Sequence, residues 1–214
     1  MSKNHHHVTS RDQRSQEYTE YDVMKSASVV SVSASPTHSF SKQPMVSIRL
    51  IPGLGVEGDA HLGSTVQHRS RLHIQPPPPN LRQVHLIPAE IFDEVASVSS
   101  PPVQPGDLGE NVTTRGIDLK GLSRGTKLRF VSATDDDAKI NAPTVVVMGL
   151  RNPCPQIDKF RAGLKEKLLV RDESRQIVGR LAGVMATVET GGEITPGMRI
   201  LVEEPAIRHP LECV

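Results

Sequence analysis

Cys154 lies between two prolines, in the run Arg151-Asn152-Pro153-Cys154-Pro155-Gln156-Ile157. The run follows an apolar, β-branched stretch, Thr144 to Leu150, and precedes an amphipathic one, so the thiol falls where a strand hands over to a helix. A helix N-terminus carries partial positive charge from aligned peptide dipoles and unpaired N–H groups. With Arg151 beside it, that field favours thiolate over thiol, the form that serves as nucleophile or soft-metal ligand. Without such a field the same residue is a small buried hydrophobe, as free cysteines often are.

Other polar clusters sit next to strand ends, where sites are usually assembled. Asp59 and His61 follow a glycine-rich turn, with His68, Arg69 and Arg71 further on. Gly106-Asp107-Leu108-Gly109-Glu110-Asn111 leads into Thr113-Thr114-Arg115-Gly116, read as a loop, and His85 lies within a strand candidate. Each cluster has a plain structural reading: Gly106 and Gly109 as turn formers, Asp107 as a turn cap, His85 as a hydrogen-bonded core residue. No two ligands show the close spacing of a structural zinc site. Gly53-Leu54-Gly55-Val56-Glu57-Gly58 matches the dinucleotide pattern GxGxxG, but no amphipathic helix follows to hold a pyrophosphate. Those glycines read as a sharp turn that aims Asp59 and His61.

The elements that must position these residues are mostly short strands broken by Gly and Pro. Strand candidates are Met45 to Ile51, Gln83 to Ile87, Thr126 to Ser132, Thr144 to Leu150, Gly183 to Glu189 and Met198 to Glu203. After Pro88, Ile91, Phe92 and Val95 supply a brief helical face. From Pro155 onward Ile157, Phe160, Leu164 and Leu168 predict one amphipathic helix, and Pro76 to Pro79 form a stiff spacer in a surface loop. Short strands and few helices predict a mainly β, closed or nearly closed barrel.

Composition bounds the function. Residues 1–43, rich in Ser, Thr, Gln and His, are expected to be a disordered tail; residues 44–206 form the folded domain and 207–214 a flexible end. The 214 residues carry a net charge of +1, 3% aromatics and no Trp, which leaves neither the field nor the stacking platform that nucleic acid needs. No apolar run reaches membrane-spanning length, and no secretory signal is legible. Cys154 and Cys213 make no disulfide framework, so a reduced, cytoplasmic setting is expected.

Taken in order, Gly58-Asp59-Ala60-His61, Gln83-Val84-His85-Leu86-Ile87, Pro105 to Asn111, Arg151-Asn152-Pro153-Cys154 and Gly191-Gly192…Pro196-Gly197 resemble the MOSC domains. These are the molybdenum-cofactor-sulfurase C-terminal type domains, and the match is nearest to small stand-alone members. It departs at Pro196-Gly197-Met198, where relatives commonly end in Gly-Asp. The resemblance implies a MOSC-type β-barrel whose pocket holds Cys154, either ligating the molybdenum of a molybdopterin cofactor or carrying sulfur as a persulfide. In the first case the protein is a small oxidoreductase acting on N-hydroxylated or related small molecules with electrons from a partner redox protein. Cys154 is then the metal ligand, Asn111, Thr113, Arg115 and Arg151 hold the cofactor, and Asp59 and His61 act on substrate protons or hydrogen-bond the pterin. In the second case a sulfur-donor protein loads Cys154 without redox turnover. Pyridoxal phosphate is not expected, because the chain has no room for a sulfurase domain. A third reading, a hydrolase or metal-binding barrel built on Asp59 and His61, requires no role for Cys154.

Overall fold

Alternation decides the architecture. In the five residues of strand β5 (Val84–Pro88), Val84 and Leu86 enter one apolar cluster while Ile87 enters another, so the strand is buried on both faces. The first cluster fills a barrel, and the second lies outside its wall under three short helices. The computed structural model describes residues 27–68, 73–98, 100–134 and 141–214.

Seven strands close the barrel. Numbered along the chain, they run around it as β1 (Ser28–Ala34), β6 (Val112–Arg115), β5, β11 (Val184–Thr190), β8 (Thr144–Leu150), β7 (Lys127–Val131) and β13 (Arg199–Glu203). The ring shuts where Ser28 of β1 pairs with Arg199 of β13. Every pairing is antiparallel except β5 with β6. A parallel pair needs a crossover; this one contains helix α1 (Glu90–Val95) and returns through Gly106 to Asn111. Strand β2 (Gln43–Met45) pairs with β1 beside the ring, and β3 (Ile48–Ile51), β4 (Gly55–Val56) and β12 (Gly192–Ile194) form a small sheet. That sheet adds Leu50, Val56 and Ile194 to the barrel core. A hairpin of β9 (Leu169–Arg171) and β10 (Ile177–Arg180) completes the set. Among the described residues no helix is long and apolar enough to cross a membrane.

The expected mainly β barrel is what the chain forms, and the GxGxxG segment is indeed a turn: Leu50 pairs with Val56 and Ile51 with Gly55. Three expectations need correction. Residues 1–26, with most of the expected tail, lie outside the described residues, as do Arg69 and Arg71. Residues 28–34, assigned to that tail by their serines, are a wall of the barrel: Val29 and Val32 are buried in its core. Three valines among three serines and an alanine, inside a longer Ser- and Thr-rich stretch, are not set apart by composition, and the pairing with β6 and β13 makes the strand.

The single helix expected after Cys154 is two, α2 (Pro155–Phe160) and α3 (Leu164–Lys167). Gly163 takes φ +80 between them, a left-handed conformation that interrupts a helix. Ile157, Leu164 and Leu168 remain buried across the break, so the apolar stripe survives it.

Residues 207–214 are also tied down. His209 and Ser123 bond reciprocally, the Leu150 N–H donates to Glu212 O at 2.8 Å, and the Val214 N–H donates to Leu150 O at 3.3 Å. Gly149 admits this strap, because a Cβ there would stand 2.3 Å from Glu212 O. Gly149→Val should therefore release the strap. The expected cost is about 2 kcal/mol, two backbone hydrogen bonds at roughly 1 kcal/mol each. Hydrogen exchange at the Leu150 amide and protease cleavage after Arg208 will report it, while the barrel amides stay protected.

Candidate functional site

The outer face of β5 and β6 carries the polar residues. Val84, Leu86 and Val112 point into the barrel, so the alternate positions His85, Asn111 and Thr113 point away from it. The crossover loop folds over them. Gly106 (φ +91) and Gly109 (φ +80) each serve two ends: they turn the loop, and they let the Phe40–Lys42 backbone pass. A Cβ on Gly106 would stand 2.5 Å from Lys42 O, and one on Gly109 2.4 Å from Phe40 O.

This passage brings Lys42 into the site, a residue that nothing in its serine-rich surroundings singles out. Its Nζ lies 2.7 Å from Asp59 Oδ2, with both side chains almost wholly buried. Asp59 accepts from five donors. Oδ2 takes Lys42, Asn111 Nδ2 (3.1 Å) and the Ser35 N–H (3.3 Å); Oδ1 takes the His61 N–H (2.9 Å) and His61 Nδ1 (3.1 Å). Burial alone would raise the Asp59 pKa, but the His61 and Lys42 contacts outweigh it and hold the carboxyl well below the usual carboxylate range. Lys42 is pushed down by burial, against the pull of Asp59.

With Asp59 fixed as an acceptor, His61 donates from Nδ1, which leaves Nε2 as the ring's free acceptor. His61 is half-buried and lines a pocket, its ring edge-on to His38 at 5.1 Å. Asn80, itself buried, donates to His61 O at 3.0 Å and Gly63 O at 2.9 Å and accepts from the Arg82 N–H, so it sets the backbone of two pocket residues.

Arg151 leaves β8 at the head of the Cys154 run and turns its side chain inward. Its Nη1 donates to Leu108 O at 2.5 Å and to His85 Nδ1 at 3.1 Å. His85 Nε2 therefore carries the proton and donates to Ala182 O at 2.8 Å. Burial, reinforced by Arg151, lowers the His85 pKa well below its ordinary value and keeps the ring neutral. His85 is thus a neutral spacer between Arg151 and the barrel wall.

The resulting pocket, of about 90 Å³, is lined by Lys42, Arg82 and Arg151 together with His38, His61 and Gln156 among others. Its lining holds three cationic side chains and, among the described residues, no Asp or Glu, so it suits an anion. Arg82 reaches it with help from the strap, since Arg82 Nη2 donates to Val214 O.

Of the expected site residues, Asp59, His61, Asn111 and Arg151 come together here. Two do not. Thr113 is buried and donates to Glu110 Oε1 at 3.0 Å, and Arg115 is exposed at the end of β6, outside the pocket lining. The reason is that Asn111 to Arg115, read as a loop, enters a strand that ties these side chains to fixed faces. Glu110 is fully buried, with Oε1 also accepting the Gly106 N–H at 2.6 Å; burial raises its pKa.

Cys154 is half-buried at the N-cap of α2, with Pro155 opening the helix. Its Sγ lies 4.0 Å from Oε1 of Gln156, which lines the pocket. Among the described residues no three His, Cys, Asp or Glu side chains converge as a metal site.

A family model described as "MOSC domain" matches residues 59–201. Among solved structures, the YuaD protein from Bacillus subtilis superposes with a TM-score of 0.65 at 23% identity, over 84% of this chain and 97% of that one. YiiM from Geobacillus stearothermophilus gives 0.54 at 17% identity, over 83% and 75%. YiiM from Escherichia coli gives 0.50 at 15% identity, over 84% and 71%. At these identities the structural likenesses establish the fold. No curated protein sequence matches the chain.

Proposed function

The chain belongs to the MOSC family, and from that membership we propose that it binds a molybdenum cofactor beside Cys154 and acts as a small oxidoreductase on N-hydroxylated or related compounds. The observation that carries this reading is the convergence of Lys42, Arg82 and Arg151 on one pocket, next to the Asp59–His61 pair and a half-buried thiol.

The residues fit such a group. Three cations suit its phosphate, and about 90 Å³ is the space of a small anion, so the fused rings would lie outside it, past exposed Gln156. Among the described residues no cluster of three donors surrounds the Cys154 thiol, which suits a soft metal that arrives already chelated. Cys154 would hold the metal; Arg151, Arg82 and Lys42 would hold the phosphate, with Asn111 keeping Asp59 and the His85 backbone in place. When bound, the cofactor supplies a two-electron centre.

The chain's own part is proton handling. Asp59 fixes the His61 tautomer, which leaves Nε2 to take a proton from solvent and hand it to substrate. Reduction of an N–OH group breaks the N–O bond, uses two electrons from an external donor and two protons, and releases water. In this reading His61 protonates the departing oxygen.

A second reading, a sulfur carrier, is favoured by the thiol's only partial burial and by the absence, among the described residues, of a hydrogen bond to it shorter than the 4.0 Å contact with Gln156. Metal and pterin analysis of protein made in a host that synthesises the cofactor separates the two. The proposal expects molybdenum and pterin near one per chain. Neither group on the protein, with a sulfur atom added to Cys154 after exposure to a sulfur donor, overturns it in favour of the carrier.

A further inference from the structure

On the other side of the Arg180–Gly183 segment lies a larger cavity, of about 340 Å³, that the proposed reaction does not use. Ile91, Ile117, Leu119 and Leu181 give it an apolar lining. Three solvent-exposed carboxylates, Glu90, Glu94 and Asp118, also line it. Glu90 and Glu94 are one turn apart on α1, where like charges repel. Glu90 accepts the Gly116 N–H at 2.8 Å, which holds it against the loop carrying Asp118. Among the described residues none of the three makes an ion pair. Arg180, also in the lining, donates through Nε to Asn152 Oδ1 at 3.1 Å, and Lys120 is solvent-exposed.

We propose that this cavity is a second ligand site, for small molecules with an apolar body and a protonated nitrogen. Sites for small molecules are concave and mostly apolar, with a few polar groups that fix orientation. Here the apolar lining would take the body, and the carboxylates, which repel one another, would be relieved by the cation. The site is separate from the basic pocket, whose cations select the opposite charge. It is not remote from Cys154, because its wall is hydrogen-bonded to the Cys154 run through Arg180–Asn152 and through the Arg151 N–H to Gly183 O at 3.0 Å.

The test is an NMR titration of the full chain at neutral pH with benzylamine, benzyl alcohol and benzoate as probes. Benzylamine should shift the amides of Ile117, Leu119, Leu181 and Gly183 saturably. It should bind up to about fivefold tighter than benzyl alcohol, the range of a solvent-exposed charge contact, with benzoate weakest. Glu94→Gln with Asp118→Asn should remove the preference for the cation, and Leu181→Trp, which fills the cavity, should abolish binding of all three. Should the tryptophan variant not fold, the charge variant still decides. Benzoate binding as tightly as benzylamine, a cation preference that survives the charge variant, or shifts centred on His61 and Arg151 would overturn the proposal. The same titration on Cys154→Ser should be unchanged, which keeps this result independent of the cofactor reading.

Discussion

Cys154→Ser should lose molybdenum while keeping its fold. Sulfur and oxygen differ here in softness more than in size, and a hydroxyl does not replace a thiolate on molybdenum. If Cys154 is the only protein donor to the metal, retained molybdenum should fall on the order of tenfold or more, the scale on which even weaker perturbations of metal sites act. Stability should change by less than about 1 kcal/mol, because the side chain is half-buried and its polar contact is the 4.0 Å approach to Gln156. Cys213→Ser, at an exposed position on the strap, is the matched control and should retain the wild-type metal content. Elemental analysis with thermal melts of all three proteins reads the outcome. Molybdenum retained in Cys154→Ser would remove the thiol from the metal, and with it the central claim of the proposed function.

Asp59→Asn should be the most destabilising single change at the site. Five donors converge on the carboxylate, so the new amide NH2 would have to face one set of them. Lys42, 5% exposed, would keep a buried charge without its partner. Breaking a buried pair in this way costs about 3–5 kcal/mol. The double variant Asp59→Asn, Lys42→Met removes both charges and should recover much of that loss, as double-mutant denaturation curves will show.

Acid supplies an independent check. The folded Asp59 pKa lies below its unfolded value, so its contribution is fully present above about pH 4, the unfolded range, and is lost as pH falls through the folded pKa. The gap between wild type and Asp59→Asn should therefore close on acidification. Glu110 works the other way: its raised pKa makes its contribution decline as pH rises, in both proteins alike.

How much of this was legible follows from distance along the chain. The strand-to-helix hand-over at Cys154 was, because β-branched residues before it and Pro155 after it act locally. Asp59 and His61 were, because two residues apart across a glycine turn they bond each other directly. Lys42 was not: its meeting with Asp59 depends on Gly106 and Gly109 lacking side chains more than sixty residues later in the chain. Arg82 owes its place partly to Val214, and His85 its neutral state to burial reinforced by Arg151. Thr113 and Arg115 show the converse error. Their types suit anion binding, yet β6 pairing buries one on the outer face of the barrel wall against Glu110 and leaves the other at a strand end.

The Cys154 run, its flanking prolines, the Gly58-to-His61 turn and the ordered motifs of a MOSC barrel are properties of the chain, since backbone preference and near-neighbour bonding need no distant partner. Which cations are buried, which histidine is held neutral and which carboxylate is held charged were decided only when the barrel closed. Burial and charge pairing depend on which strand faces meet, and in a strand one residue of register exchanges the inward face for the outward one. The thiol's position could thus be read from its neighbours, but the basic pocket it adjoins exists only because β1, long hidden in a serine-rich stretch, brings Lys42 with it.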